Sequence, residues 1–188
     1  MPFRFKSLQI PDVILIDAQT FPDDRGYFSE SFKESEFLLN GIKTKFLQDN
    51  YSYSVRGVLR GLHYQKNPKA QAKLITVFKG KIFDIAVDIR KNSSTYGNWV
   101  GEILSEENHK SLYIPEGFAH GFCVLSDDAY VFYKVTQEYS PEHARGITWN
   151  DSKLNITWPI DTPLLHEKDS QLPLLQDADN NFIFTKDK

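Results

Sequence analysis

Residues 73–90, KLITVFKGKIFDIAVDIR, decide the fold. Two strand-like runs, KLITVF and KIFDIAVDIR, flank Lys79-Gly80, which reads as a hairpin turn. In the second run Phe83, Ile85, Val87 and Ile89 share one face, and Asp84, Ala86 and Asp88 the other. That period of two belongs to a strand. The same alternation spreads outward. GFAHGFCVL (117–125) aligns Phe118, His120, Phe122 and Val124, and AYVFYKVTQEY (129–139) aligns Val131, Tyr133, Val135, Gln137 and Tyr139. Upstream, VILIDAQTF (13–21) and SVRGVL (54–59) read as strands, and YFSESF (27–32) puts Phe28, Glu30 and Phe32 on one face. SEFLLNG (35–41) predicts a short helix with Ser35 as its N-cap and Gly41 as its stop. After WPIDTP a polar tail follows, with one or two helical turns around LLHEKDSQL (164–172). Short strands at this spacing predict an antiparallel sandwich or barrel. One face of each strand then lines a cavity or core shared by several strands.

The bulk numbers narrow the possibilities. A chain of 188 residues predicts one domain with a sizeable core. We divide it into N-terminal strands (1–50), a barrel core (51–150) and a C-terminal extension (151–188). The net charge of −3, without a basic run, argues against nucleic acid as a partner. The 14% aromatic content favours strands and leaves rings for stacking. A single cysteine, Cys123 in apolar GFCVL, excludes an internal disulfide and reads as a buried thiol in a reducing compartment. No run approaches membrane length and MPFRFKSLQI lacks a signal-peptide core, so a cytoplasmic protein is expected.

Chemistry gathers first around RGLHYQ (60–65). Arg60 and His63 could form an ion site, a metal site or a catalytic pair, or be a core histidine beside a surface arginine. A barrel metal site commonly uses histidines spaced H-x-H with a carboxylate. The histidines here, at 63, 109, 120, 143 and 166, are never close in sequence, although His63 and His120 could meet in space with Asp84 or Glu30. Metal-free acid/base chemistry is the better expectation. Taken alone, His63 reads as a core histidine and Tyr133 as an ordinary sheet tyrosine. Company shifts the balance: Lys73, at the start of a strand, can hold a cation near a carbonyl oxygen and stabilise an enolate. Arg25 and Arg60 stand beside Gly26 and Gly61, which let a ligand approach the backbone. Arg56 reads as a surface charge. Gln48, Asp49 and Asn50 add short polar groups that, with the arginines, suit a diphosphate.

Several blocks, taken in order, resemble the dTDP-4-dehydrorhamnose 3,5-epimerase family. They are DDRGYFSESF, QDNYSYSVRGVLRGLHYQ, KLITVFKGKIFDIAVDIRKNSSTYGNW, IPEGFAHGFCVLSDDAYVFYK and WNDSKLNITWP followed by EKD. Together they run over nearly the whole chain. The resemblance implies an all-β, cupin-type jelly-roll barrel with a few short peripheral helices, a homodimer, and no metal or other cofactor. It implies dTDP-4-dehydro-6-deoxy-D-glucose as substrate. By motif, His63 resembles the general base, Asp169 in EKD its orienting carboxylate, Tyr133 the acid, and Lys73 the cation over the C4 oxygen. Arg60, Gln48, Asn50 and His120 resemble sugar and diphosphate contacts. Phe28, Glu30 and Tyr139 resemble the thymine pocket. Lys168 resembles a further ligand contact, and Arg25 the residue reaching into the partner subunit's site. Ala144 in PEHARG is a departure, because the family often has an acid there; Glu142 is the nearest substitute. Competing readings are a single-carbon epimerase, a 3,4-ketoisomerase and a non-catalytic sugar-nucleotide-binding module. One tension is internal. Arg60 and His63 have opposite parity on a regular strand, so a shared pocket requires a bulge near Gly61.

Overall fold

A computed structural model describes residues 2–185. The chain begins with β1 (Phe3–Ser7) and β2 (Ile14–Ala18), the small hairpin of β3 (Thr20–Asp23) and β4 (Gly26–Ser29), and the helix α1 (Glu34–Leu39). The central strands are β5 (Gln48–Val55), β6 (Leu59–Gln65), β7 (Lys73–Lys79), β8 (Lys81–Asp88) and β9 (Trp99–Ser105). They are followed by β10 (Lys110–Ile114), β11 (Phe118–Val124), β12 (Asp128–Val135) and β13 (Ala144–Gly146). The C-terminal extension carries the one-turn helix α2 (Glu167–Ser170) and a 3-10 turn at Leu175–Asp177. Two main sheets result, one ordered β1-β2-β10-β7-β12-β5 and the other β13-β6-β11-β8-β9. Their strands pair antiparallel throughout, in the expected jelly roll. No helix among the described residues is long and apolar enough to cross a membrane.

Lys79-Gly80 is not a hairpin. β7 pairs with β10 and β12, whereas β8 pairs with β11 and β9, so the chain changes sheets at this point. Gly80 has φ +80, and an added Cβ would overlap the Asp128 carbonyl oxygen. Ser126 Oγ accepts from Lys81 N at 2.7 Å on the far side of this corner. A positive-φ glycine between alternating runs marks a reversal; it does not say whether the strands pair afterwards.

The alternation within β8 holds, but neither face is wet. Ile82 and Ala86 point between the sheets, where they pack with Ile75, Val77, Leu112 and Val131. Ile85, Val87 and Ile89 point outward and are covered by Ile147, Leu154, Leu175 and Phe182 of the C-terminal part. The inward face is therefore the one carrying Asp84 and Asp88, both fully buried.

Two local readings are corrected. β4 stops at Ser29, so Phe28, Glu30 and Phe32 do not share a strand face. Phe28 is exposed on the hairpin, while Phe32 packs edge-on to Phe37 at 4.7 Å and to Phe46 at 5.3 Å under α1. Aromatic packing beneath the helix wins over strand continuation. Ser35 is not the N-cap: the cap falls two residues earlier, at Lys33, with no side-chain capping bond. Gly41 does follow the helix, at φ +87.

The bulge near Gly61 is present. His120 stands opposite His63 and Phe122 opposite Arg60, so two steps along β11 span three along β6. Gly61 carries the distortion at φ +123, and a Cβ there would lie 2.6 Å from Gly121 Cα. The extra residue brings Arg60 and His63 to the same face. Gly61→Ala combines a disfavoured φ with backbone overlap, and should cost about 3 kcal/mol or more. Differential scanning calorimetry should show a melting temperature about 6–12 °C lower; an unchanged transition would remove the steric argument.

Candidate active site

A cleft of about 720 Å³ opens between the two sheets. The five-stranded sheet contributes His63 from β6, and the six-stranded sheet contributes Lys73 from β7 and Tyr133 from β12. Gln48 and Asn50 of β5 line it too, as do Tyr139 beyond β12 and Lys168 and Asp169 of α2. Thus eight expected residues, distant in sequence, meet in one cavity.

His63 Nε2 lies 2.8 Å from Asp169 Oδ1. α2 positions that carboxylate: His166 caps the turn, and Asp169 N donates to His166 O at 2.9 Å. Burial alone would raise the Asp169 pKa, but the hydrogen bond and charge of His63 and the Gly61 N–H hold it below the usual carboxylate value. An ionised carboxylate only accepts, so Nε2 carries the proton and Nδ1 keeps a free lone pair. The His63 side chain is 44% exposed, towards the cleft that it lines.

Lys73 is half-buried, with Nζ 3.4 Å from the His63 carbonyl oxygen. Desolvation pulls its pKa down to about 8, against the opposing charge of Asp84. It remains largely a cation at neutral pH and is poorly hydrated. Desolvation raises the Tyr133 pKa, while Arg60 pulls the other way, so the phenol is neutral and able to donate.

The other expected residues lie outside the cleft lining. His120 is buried beside His63 on the neighbouring strand, with Nε2 2.7 Å from Asp84 Oδ1; burial lowers its pKa, with Asp84 opposing. Arg60 Nε donates to Ser54 Oγ at 3.0 Å and Nη2 donates to Tyr53 O at 3.2 Å. Arg25 sits on the β3–β4 turn, paired with Asp23 at 2.6 Å, and Phe28 and Glu30 lie on or next to that hairpin. The structure does not bring Arg25, Phe28 or Glu30 to the cleft of their own chain. Arg56 pairs with Asp127 at the surface. Ala144 lines the cleft, whose acids are Asp169, Asp177 and Asp179; Glu142 is not among its lining residues. Sequence reasoning placed Asp84 with His120 only as candidate metal ligands; the structure shows them as a hydrogen-bonded pair. Among the described residues, no group of three His, Cys, Asp or Glu side chains could hold a metal ion.

A carboxylate-backed histidine facing a lysine and a neutral tyrosine across a jelly-roll cleft is machinery for moving protons beside a carbonyl. The comparisons give this class its family. The family model for dTDP-4-dehydrorhamnose 3,5-epimerase matches residues 7–177. The dTDP-4-dehydrorhamnose 3,5-epimerase of Shigella flexneri is 53% identical over 172 residues, covering 91% of this chain and 95% of that one. The solved structure of dTDP-6-deoxy-D-glucose-3,5-epimerase from Legionella pneumophila, in complex with dTDP-4-keto-L-rhamnose, superposes with a TM-score of 0.90. It is 45% identical and covers 93% of each chain. The dTDP-4-dehydrorhamnose 3-epimerase of Streptomyces niveus is more distant, 38% identical over 176 residues, with 93% of this chain and 85% of that one covered. The chain belongs to the dTDP-4-dehydrorhamnose 3,5-epimerase family.

Proposed function

We propose that this protein epimerises dTDP-4-dehydro-6-deoxy-D-glucose at C3 and C5, giving dTDP-4-dehydro-L-rhamnose on the route to dTDP-L-rhamnose. The observation that carries the mechanism is the division of the proton-handling groups: His63–Asp169 on one wall of the cleft, Tyr133 and Lys73 on the other. The C4 ketone acidifies the neighbouring C–H bonds. His63 Nδ1 takes one proton, the C–H electron pair moves into an enolate, and the Lys73 ammonium stabilises the oxygen. Tyr133 donates its phenolic proton to the opposite face, which inverts the carbon. Solvent then removes the proton from the imidazolium and reprotonates the tyrosinate. Asp169 fixes the His63 tautomer and steadies the imidazolium. No hydride leaves, so the step calls for no nicotinamide.

Turnover in deuterated buffer should place deuterium at both C3 and C5, read by proton NMR of the product. Label at one carbon would select a single-carbon epimerase, the activity named for the more distant Streptomyces relative. Label at neither would leave only a sugar-nucleotide-binding module.

The protein works as a cytoplasmic homodimer, in this reading, with residues 1–188 as one domain of N-terminal strands (1–50), barrel core (51–150) and C-terminal extension (151–188). Positions 1 and 186–188 lie outside the described residues. Two features support a dimer. The outer face of β5, β12 and β7 leaves Tyr51, Tyr53, Tyr130 and Phe78 exposed, and the β3–β4 hairpin exposes Phe28 outside the lining of its own cleft. Across a two-fold axis, Arg25, Phe28 and Glu30 serve the partner's nucleotide, while Arg60, His120, Gln48, Asn50, Tyr139 and Lys168 serve their own chain's ligand. Sedimentation at micromolar concentration should give a dimer; a monomer would remove the role of Arg25. The free buried thiol of Cys123 agrees with a reducing compartment.

A further inference from the structure

β12 ends at Val135, and residues 136–140 have no strand partner. An extended segment that leaves a sheet must still pair its backbone groups. Here three glutamine side chains do so, each from a different part of the fold. Gln71 Nε2 donates to Gln137 O at 2.6 Å. Gln65 Nε2 donates to Glu138 O at 3.2 Å, and Gln65 Oε1 accepts from Ser140 N at 2.7 Å. Gln48 Oε1 accepts from Tyr139 N at 2.9 Å. The other end of Gln48 is also occupied, with Nε2 donating to Asn50 Oδ1 at 2.8 Å. A primary amide suits this task because it offers donor and acceptor on one rigid plane. Gln65 is only 4% exposed, so its amide has given up water for these contacts. At the centre of the frame stands Tyr139, 62% exposed and lining the cleft. A ring so bare is placed by its backbone.

We propose that Gln48, Gln65 and Gln71 are positioning residues: their amides hold the backbone of residues 137–140 so that Tyr139 stands as a preformed wall for the flat base of the ligand nucleotide. This rests on the sugar-nucleotide reading above. A preformed wall lowers the ordering cost of binding and leaves proton transfer alone.

The test uses the full-length protein with dTDP as probe, beside steady-state kinetics with the 4-keto sugar. Gln71→Met removes one donor with little change of volume. Loss of one such hydrogen bond should raise the dTDP Kd and the KM about three- to tenfold, with kcat within about twofold. The deciding measurement is the same substitution in a Tyr139→Ala background, where the Kd should change by less than about 1.5-fold, since a residue that acts through Tyr139 has nothing left to position there. An equal loss in both backgrounds would overturn the proposal, as would an unchanged Kd for Gln71→Met alone. Gln65→Met should show the same pattern. Gln71, on a half-buried loop, keeps the test open if Gln65→Met does not fold. Failure of the wild-type protein to bind dTDP would overturn the substrate reading itself, a result distinguishable from either outcome above.

Discussion

His63→Ala should lower kcat by about 10²–10⁴-fold, the range for loss of a general base, with dTDP binding retained. His63 is assigned a proton rather than the nucleotide, and its half-exposed ring leaves an open hollow when truncated. The pairing with Asp169 suits the ring to act as a base, because an ionised carboxylate holding Nε2–H leaves Nδ1 free. Turnover of the 4-keto sugar and calorimetric titration with dTDP measure the two halves separately. Undiminished turnover would refute the assignment, and joint loss of turnover and binding would point to a collapsed cleft.

Lys73→Met should reduce kcat/KM by about 10²–10³-fold, as removal of a preorganised charge at an oxyanion does. Lys73 also predicts a pH dependence. Desolvation lowers its pKa to about 8. The cation is the active form, so it predominates below that value, and kcat/KM should fall as pH rises through it. Tyr133 does not confuse this limb, since burial moves its titration upward from the ordinary phenol value. The residual activity of Lys73→Met should lack the basic limb. A wild-type profile that stays flat between about pH 7 and 9 would show that the Lys73 charge is not used.

Most strands were legible because side-chain alternation survives whatever covers each face, but SVRGVL is not one strand: β5 ends at Val55, the chain turns at Arg56-Gly57, and β6 begins at Leu59. Val131, Tyr133 and Val135 do share the inner side of β12, as do Phe118, His120 and Phe122 on β11. Pairing was less legible. KLITVF and KIFDIAVDIR look the same whether Gly80 makes a hairpin or a corner between sheets, and only contacts with Ser126 and Asp128, far along the chain, decide it. The bulge at Gly61 could be anticipated because two residues of opposite parity were expected in one pocket. Local pattern failed at Phe32, where an aromatic cluster under α1 draws the side chain away. In the site, His63, Lys73, Tyr133 and Asp169 were recognisable from their blocks. The support behind them was not: neither the Asp84 contact to His120 nor the glutamine frame around Tyr139 has a short-range signature.

His63 and Tyr133 stand on different sheets, and this has a consequence for tuning. Facing sheets sit about 10 Å apart, a spacing set by the side chains filling the gap. The reach from His63 to Tyr133 is therefore gauged by Ile82, Val131 and Phe122, which the cleft never meets. A methyl group added or removed there acts as a shim under one jaw of a caliper, and misplacement by about 1 Å can cost about 10²-fold in rate. Drift in the hydrophobic interior thus gives this scaffold a second route to new sugars, one that leaves every lining residue unchanged.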